Sequence, residues 1–330
     1  MTLTTDHAQL TLRVQGDELS TAEPVFGEPR DSSDALTDYR ELNRRMSEDG
    51  YLLLRGLLPA EQVRQARGEV TRRLAEQGLL KPNTPPEEAV GLPVEEARRQ
   101  HERGGDASHY QRRIDFMPDQ LARNNAPLNE LLYGSTMMSF FGNFFGEPAK
   151  HFDFTWFRST FPHSKGTRPH TDAIFMGRAE REQLFTAWTP MGDIDRRQGG
   201  LLILEGSHRH PGLRHGYSTT DVDAHCENRP EQPDWWARNR QTNGDDVAIG
   251  PDINTIQEMV GGRWLTTDYA AGDVLIFSIF TVHGSLDNQS DHIRLSSDSR
   301  YQPASKPADA RWVGDNPPGH GDGGKRGLIC

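Results

Sequence analysis

Apolar positions along the chain change their period twice, and each change marks a different kind of element. From Asp34 to about Ser47 they recur at helical spacing, and Asp49-Gly50 then introduces Tyr51-Leu-Leu-Leu54, a short apolar run that reads as a buried strand. Leu57-Leu-Pro59 starts a second helix in which Val63, Ala66, Val70 and Leu74 repeat on one face as core. Residues 81–97, with Pro82, Pro85, Pro86 and Pro93, read as a loop or linker, and the charged stretch Arg98 to Arg113 has no clear assignment. Leu128 to Phe145 reads as one helix broken near Gly146-Glu-Pro148, with Phe140, Phe141, Phe144 and Phe145 serving packing. Ahead of these, residues 1–35 are polar, with one alternating run, Leu10 to Val14, suited to an edge strand.

From His151 the period becomes two. Phe152, Phe154, Trp156 and Arg158 alternate with Asp153, Thr155, Phe157 and Ser159, a strand that leads towards Arg168-Pro-His-Thr-Asp172. Gln183 to Met191 is a further strand with Thr186 and Trp188 on one face, and Gly199-Gly200 turns into Leu201-Leu-Ile-Leu204. Residues 209–262 are polar and carry no period, which predicts a lid, binding loop or insertion. Val274 to Val282 is apolar on both faces, as a doubly covered strand should be, and ends in His283-Gly-Ser285. After a turn, His292 to Gln302 reads as its antiparallel return, and the last 25 or so residues as a loose tail.

Helices followed by many strands predict an α+β chain whose β part is a sandwich or barrel. The expectation is one domain over 1–330: an extension to residue 35, a mainly helical part 36–150, a β core 151–305 interrupted at 209–262, and a tail 306–330. No internal repeat is evident.

Composition narrows the function. Mean hydropathy is −0.75, and no apolar run approaches the roughly 20 residues of a membrane span. No leader pattern precedes the first helix, and Cys226 and Cys330 are too widely spaced to suggest a disulfide framework. A soluble protein in a reducing cytoplasm is therefore expected. The formal net charge of −11 argues against nucleic acid or an anionic membrane as partner and leaves a small-molecule substrate; oligomeric state is not legible.

His170 and Asp172 are two residues apart, so on an extended segment both side chains share a face. An imidazole and a carboxylate can give two ligands to a divalent metal, and His283 from a distant strand would complete a two-His, one-carboxylate facial triad. The pair alone is a weak signal in a chain with 13 histidines, and His320-Gly-Asp322 matches it too. Arg294 strengthens it. A hairpin would bring Arg294 back beside the His283 strand, with Arg294, Ser296 and Asp298 facing inward and Ile293 and Leu295 outward. An inward guanidinium calls for an anion, and a carboxylate is the natural one. Three ligands from the chain leave room for O2 and for a 2-oxo acid whose distal carboxylate Arg294 would grip.

With these pieces in order, the sequence resembles the phytanoyl-CoA hydroxylase-like Fe(II)/2-oxoglutarate dioxygenases, a family that also includes ectoine hydroxylase. The matching segments are Gly50 to Gly56, Pro169-His-Thr-Asp172, Trp188-Thr-Pro190, Gly199 to His208, Ala271 to Phe277, His283-Gly-Ser285 and Arg294-Leu-Ser296, spanning about residues 36–305. The resemblance implies a double-stranded β-helix (jelly-roll, cupin-like) core under an N-terminal helical layer. It implies His170, Asp172 and His283 as iron ligands, Arg294 on the distal carboxylate of 2-oxoglutarate with Ser285 and Ser296 beside it, and Trp188 lining the pocket. Ascorbate would be supportive. Family halogenases replace the metal carboxylate by a small residue, so Asp172 points to an oxygenase that hydroxylates, cyclises or desaturates. Few lysines and no peroxisomal ending argue against an acyl-CoA substrate; a small polar metabolite, such as an amine-bearing natural-product intermediate, suits the acidic charge better.

Other readings stand beside this one. Arg294 has a structural alternative as ion-pair partner of Asp298 or Asp291, and Ser285 and Trp188 as hydrogen-bonding and packing residues. His208, His210, His215 and His225 lack a carboxylate at ligand spacing and read as loop residues that, with Trp235-Trp236, are also candidates for substrate contact. The alternative function is a cupin-type metal-dependent isomerase or sugar-binding module, which needs neither 2-oxoglutarate nor an inward Arg294. A catalytically silent scaffold is the remaining one.

Overall fold

The computed structural model describes residues 11–102, 121–228 and 249–329. Local signals set most of the helical layer. A short hairpin of β1 (Arg13–Val14) and β2 (Asp17–Glu18) is followed by β3 (Phe26–Gly27). Helix α1 (Tyr39–Asp49) begins at Asp38, whose carboxylate accepts the Glu41 N–H, and stops at Gly50 in the left-handed conformation, φ 78°. Strand β4 (Tyr51–Leu54) follows, then α2 (Ala60–Glu76) with Val63, Ala66, Val70 and Leu74 buried, and α3 (Val94–Glu102).

The stretch expected as one helix forms two, α4 (Ala126–Tyr133) and α5 (Ser135–Phe145). Between them Gly134 is extended, and a Cβ there would lie 2.2 Å from the Glu130 carbonyl oxygen. The chain folds over its own last turn where only glycine fits, which the apolar period could not reveal.

The remaining strands are β5 (Ala149–His151), β6 (Trp156–Thr160), β7 (Phe185–Pro190), β8 (Leu201–Leu204), β9 (Ala224–Cys226), β10 (Trp264–Leu265), β11 (Val274–Ser278), β12 (His283–Ser285), β13 (Arg294–Pro303) and β14 (Arg326–Leu328). The larger sheet runs β4-β11-β7-β13-β5, with β6 also on β13; the smaller runs β12-β8-β10-β3. Side-chain alternation sorts the core. Tyr51, Leu53, Trp188, Leu275 and Phe277 point from the larger sheet to Leu201, Ile203 and Leu265 of the smaller, filling a jelly-roll interior. Their neighbours Leu52, Leu54, Ala187, Val274, Ile276 and Leu295 pack outward against α1, α2, α4 and α5. The expected helical layer on a jelly roll is what the chain forms.

Four further details differ from expectation. The apolar run Val274 to Val282 is not one strand: β11 ends at Ser278, Ile279–Val282 crosses between sheets, and His283 opens β12 in the smaller one. Part of the polar segment 209–262 is structured, as α7 (Pro211–His215), β9 and α8 (Ile253–Val260), while Trp235 and Trp236 lie outside the described residues. The tail is packed, not loose: Trp312 is fully buried, Arg311 bonds Asp309 and Asp223, and β14 pairs in parallel with β9. Cys226 is disulfide-bonded, so cysteine usage no longer argues for a reducing compartment; the other cysteine, Cys330, lies outside the described residues. Among the described residues no helix is long and apolar enough to cross a membrane.

Gly50 ties the helical layer to the β core. Its carbonyl accepts the Ser278 N–H and the Thr281 hydroxyl, and a Cβ would fall 2.2 Å from Nδ1 of the buried His208. Gly50→Ala is expected to cost about 2–4 kcal/mol, from the left-handed backbone and overpacking together. A thermal melt several degrees below wild type would show it.

Candidate active site

The two histidines meet through their backbones. His170 and His283 form an antiparallel bridge, N–H to carbonyl both ways at 2.9 and 3.0 Å, and Ser285 N–H donates to the Thr167 carbonyl, which lays residues 167–170 along the edge of the smaller sheet beside β12. Asp172 arrives differently from expectation. It is not two positions along a strand; its backbone is already helical (φ −66°, ψ −20°) at the start of α6 (Ala173–Met176). The turn still brings Oδ1 to 3.7 Å from His170 Nε2 and 3.8 Å from His283 Nε2. The three ligand atoms lie within 4.8 Å of one another, and all three residues are buried. Among the described residues this is the one such group of His, Cys, Asp or Glu.

Hydrogen bonds orient the imidazoles. His170 Nδ1 lies 2.8 Å from the Arg168 carbonyl and His283 Nδ1 3.0 Å from the Thr281 carbonyl. A carbonyl only accepts, so Nδ1 carries the proton in each ring and both Nε2 lone pairs face Asp172. Burial, then the neighbouring His283, pushes the His170 pKa down to about 3, and burial likewise lowers that of His283. Burial opposes ionisation of Asp172, but Arg300 first, then the histidines and Thr186, outweigh it and lower its pKa. Two neutral imidazoles and one carboxylate are a donor set that fits a divalent first-row metal.

A pH dependence follows for the metal-free chain. The unfolded His170 takes up its proton near pH 6.5, whereas the folded one waits until about 3. In that window the unfolded state binds more protons, so stability falls as the pH is lowered. Thermal melts between pH 7 and 5 should decline, and less steeply in His170→Ala; equal slopes would exclude this origin.

Arg294 is 1% exposed at the start of β13, inside the roll. Its Nη1 donates to Ser296 Oγ at 2.5 Å and its Nη2 to Ser285 Oγ at 3.3 Å; Ser285 Oγ also accepts the Thr167 N–H at 2.7 Å. The contact with Ser285 spans the two sheets, because β12 pairs with β8 and β13 with β7 and β6, so no hairpin joins them as expected. The proposed structural partners are engaged elsewhere, Asp298 with Arg158 and Asp291 with His163. Trp188 is fully buried next to Asp298 and Leu275 in register, its ring 4.7 Å from that of Tyr269.

The histidine cluster does not assemble. His208 packs under Gly50 with Nε2 3.1 Å from the Ser47 carbonyl, and His210 caps α7 through the Leu213 N–H. Sequence reasoning missed Arg300, which continues the inward alternation of Arg294, Ser296 and Asp298 and reaches the Asp172 carboxylate at 2.9 Å. The period-two pattern was its available signal.

A family model described as phytanoyl-CoA dioxygenase (PhyH) matches residues 46–296. The 1-deoxypentalenic acid 11-beta-hydroxylase of Streptomyces arenae is 26% identical over 292 residues, covering 85% of this chain and 87% of that one. Among solved structures, the epimerase SnoN in complex with Fe3+, alpha ketoglutarate and nogalamycin RO superposes with a TM-score of 0.50 at 19% identity, over 86% of this chain and 94% of that chain. The apo non-heme monooxygenase ThoJ gives 0.51 at 13% identity, over 81% and 79%. These two likenesses are of fold.

Proposed function

The chain belongs to the phytanoyl-CoA dioxygenase (PhyH) family, non-haem iron enzymes that use 2-oxoglutarate and O2, and from that premise we propose which residues do the work. His170, Asp172 and His283 hold Fe(II); Arg294, with Ser285 and Ser296, receives the distal carboxylate of 2-oxoglutarate; Trp188 lines the interior nearby. A bound ferrous ion would couple oxidative decarboxylation of 2-oxoglutarate to oxidation of a substrate C–H bond. The observation that carries this is the convergence of two Nε2 atoms and one carboxylate oxygen inside a roll that also buries Arg294.

Each residue's part follows from its setting. The Nδ1 protons donate to backbone carbonyls, which fixes ring orientation before metal arrives. Phe277 packs 4.4 Å from the His283 ring and Phe175 edges His170 at 5.6 Å, keeping water from that side. Arg294 offers a planar fork to a carboxylate, and the two serine hydroxyls hold the fork in place.

The substrate we propose is a small-molecule intermediate of natural-product biosynthesis; the Streptomyces relative is named for hydroxylation of 1-deoxypentalenic acid, itself a small molecule. The amine-bearing preference drawn from net charge has no support in the interior, where Arg158, Arg294 and Arg300 stand with Asp172 and Asp298. The acidity of the chain therefore lies elsewhere. Anaerobic titration of 2-oxoglutarate into the Fe(II)-loaded protein tests the reading. A visible metal-to-ligand charge-transfer band is expected, with succinate formed once O2 and ascorbate are added. No band would remove His170, Asp172, His283 and Arg294 from the roles proposed for them.

A further inference from the structure

Asp172 has two oxygens, and the fold treats them differently. Oδ1 faces the two Nε2 atoms. Oδ2 is turned away and held by two donors, Arg300 Nη2 at 2.9 Å and the Thr186 hydroxyl at 2.5 Å. Both donors are themselves fixed. Arg300 is 1% exposed, its Nη1 donates to the Asp298 carbonyl at 2.7 Å, and its guanidinium lies over the Trp156 ring at 4.5 Å. Trp156 in turn packs at a tilt against Trp312 of the packed tail, ring centroids 4.3 Å apart. Thr186 is fully buried on β7, directly across from Arg300 in register.

We propose that Arg300 and Thr186 are positioning residues that occupy Asp172 Oδ2 and so present Oδ1 alone to the metal. The inference rests on the iron-site reading above. A carboxylate free to swing could give both oxygens to the ion and use up a position that the co-substrate or O2 needs. The clamp removes that freedom before metal binds, and the Trp156–Trp312 contact makes the C-terminal segment its backing.

Charge alone predicts the opposite sign, which makes the idea testable. If Arg300 only balanced the buried carboxylate, removing it would delete a cation near the ion and tighten metal binding. If it positions Asp172, removing it should weaken binding. The probe is Mn(II), titrated into full-length metal-free protein and followed by its EPR signal. Arg300→Met is expected to weaken Mn(II) by up to about 100-fold, and Thr186→Val, which leaves charge unchanged, by about tenfold, the range typical of lost outer-shell partners. Arg300→Lys should recover part of the loss. Should Arg300→Met not fold, Thr186→Val decides. Binding within twofold of wild type in Thr186→Val, or tighter binding in Arg300→Met, overturns the proposal. A wild-type protein that binds no Mn(II) would instead sink the metal-site reading itself.

Discussion

His170→Ala should bring succinate formation from 2-oxoglutarate down to background, a loss of at least about 100-fold, beyond what outer-shell changes cost. The substitution removes one Nε2 while leaving the Asp172–Arg300 pair intact. That is why it is a cleaner test than Asp172→Ala. Removing the carboxylate would leave Arg300 buried without its anion, at a cost of about 3–5 kcal/mol in stability that would be confused with lost chemistry. The assay is succinate release with Fe(II), ascorbate and O2, alongside a circular dichroism melt near neutral pH. Activity within tenfold of wild type in a folded His170→Ala would remove His170 from the metal.

Arg294→Ala should act on a different quantity. The guanidinium is bonded to Ser285 and Ser296 and is not one of the three candidate metal ligands. Its loss should weaken 2-oxoglutarate and leave the metal bound. Truncating one partner of a buried charge-assisted pair costs about 2–5 kcal/mol, which at tenfold per 1.4 kcal/mol is a rise in KM for 2-oxoglutarate of roughly 30- to several thousand-fold. Arg294→Lys should fall in between, since an ammonium cannot reproduce the planar fork. Saturating 2-oxoglutarate should restore much of the kcat. A KM within threefold of wild type would return Arg294 to a structural role.

How much of this was legible differs from element to element. Tyr51–Leu54 was readable as a short, wholly apolar run, and β7 and β13 because a strand's two-residue period follows from local backbone geometry, which put Arg294, Ser296 and Asp298 on one face. The same rule applied to Val274–Val282 ran too far. A turn made of apolar residues looks like strand, and only the partner strands show where β11 ends. The break at Gly134 and the packed tail were hidden for a related reason: each depends on what lies opposite, the Glu130 carbonyl in one case and Trp156 in the other.

The sequence by itself determined the donor types, His170, Asp172, His283 and Arg294, and the order of segments that marks the family, because side-chain chemistry and local period are properties of the chain alone. Tertiary structure decided how those donors are presented. It set the His170–His283 bridge, the helical turn that swings Asp172 into line, and the Arg300 contact 128 residues away that leaves one carboxylate oxygen facing the histidines. Such contacts are fixed by strand register and by the closure of two sheets on each other. Neither is encoded within reach of any single stretch of chain.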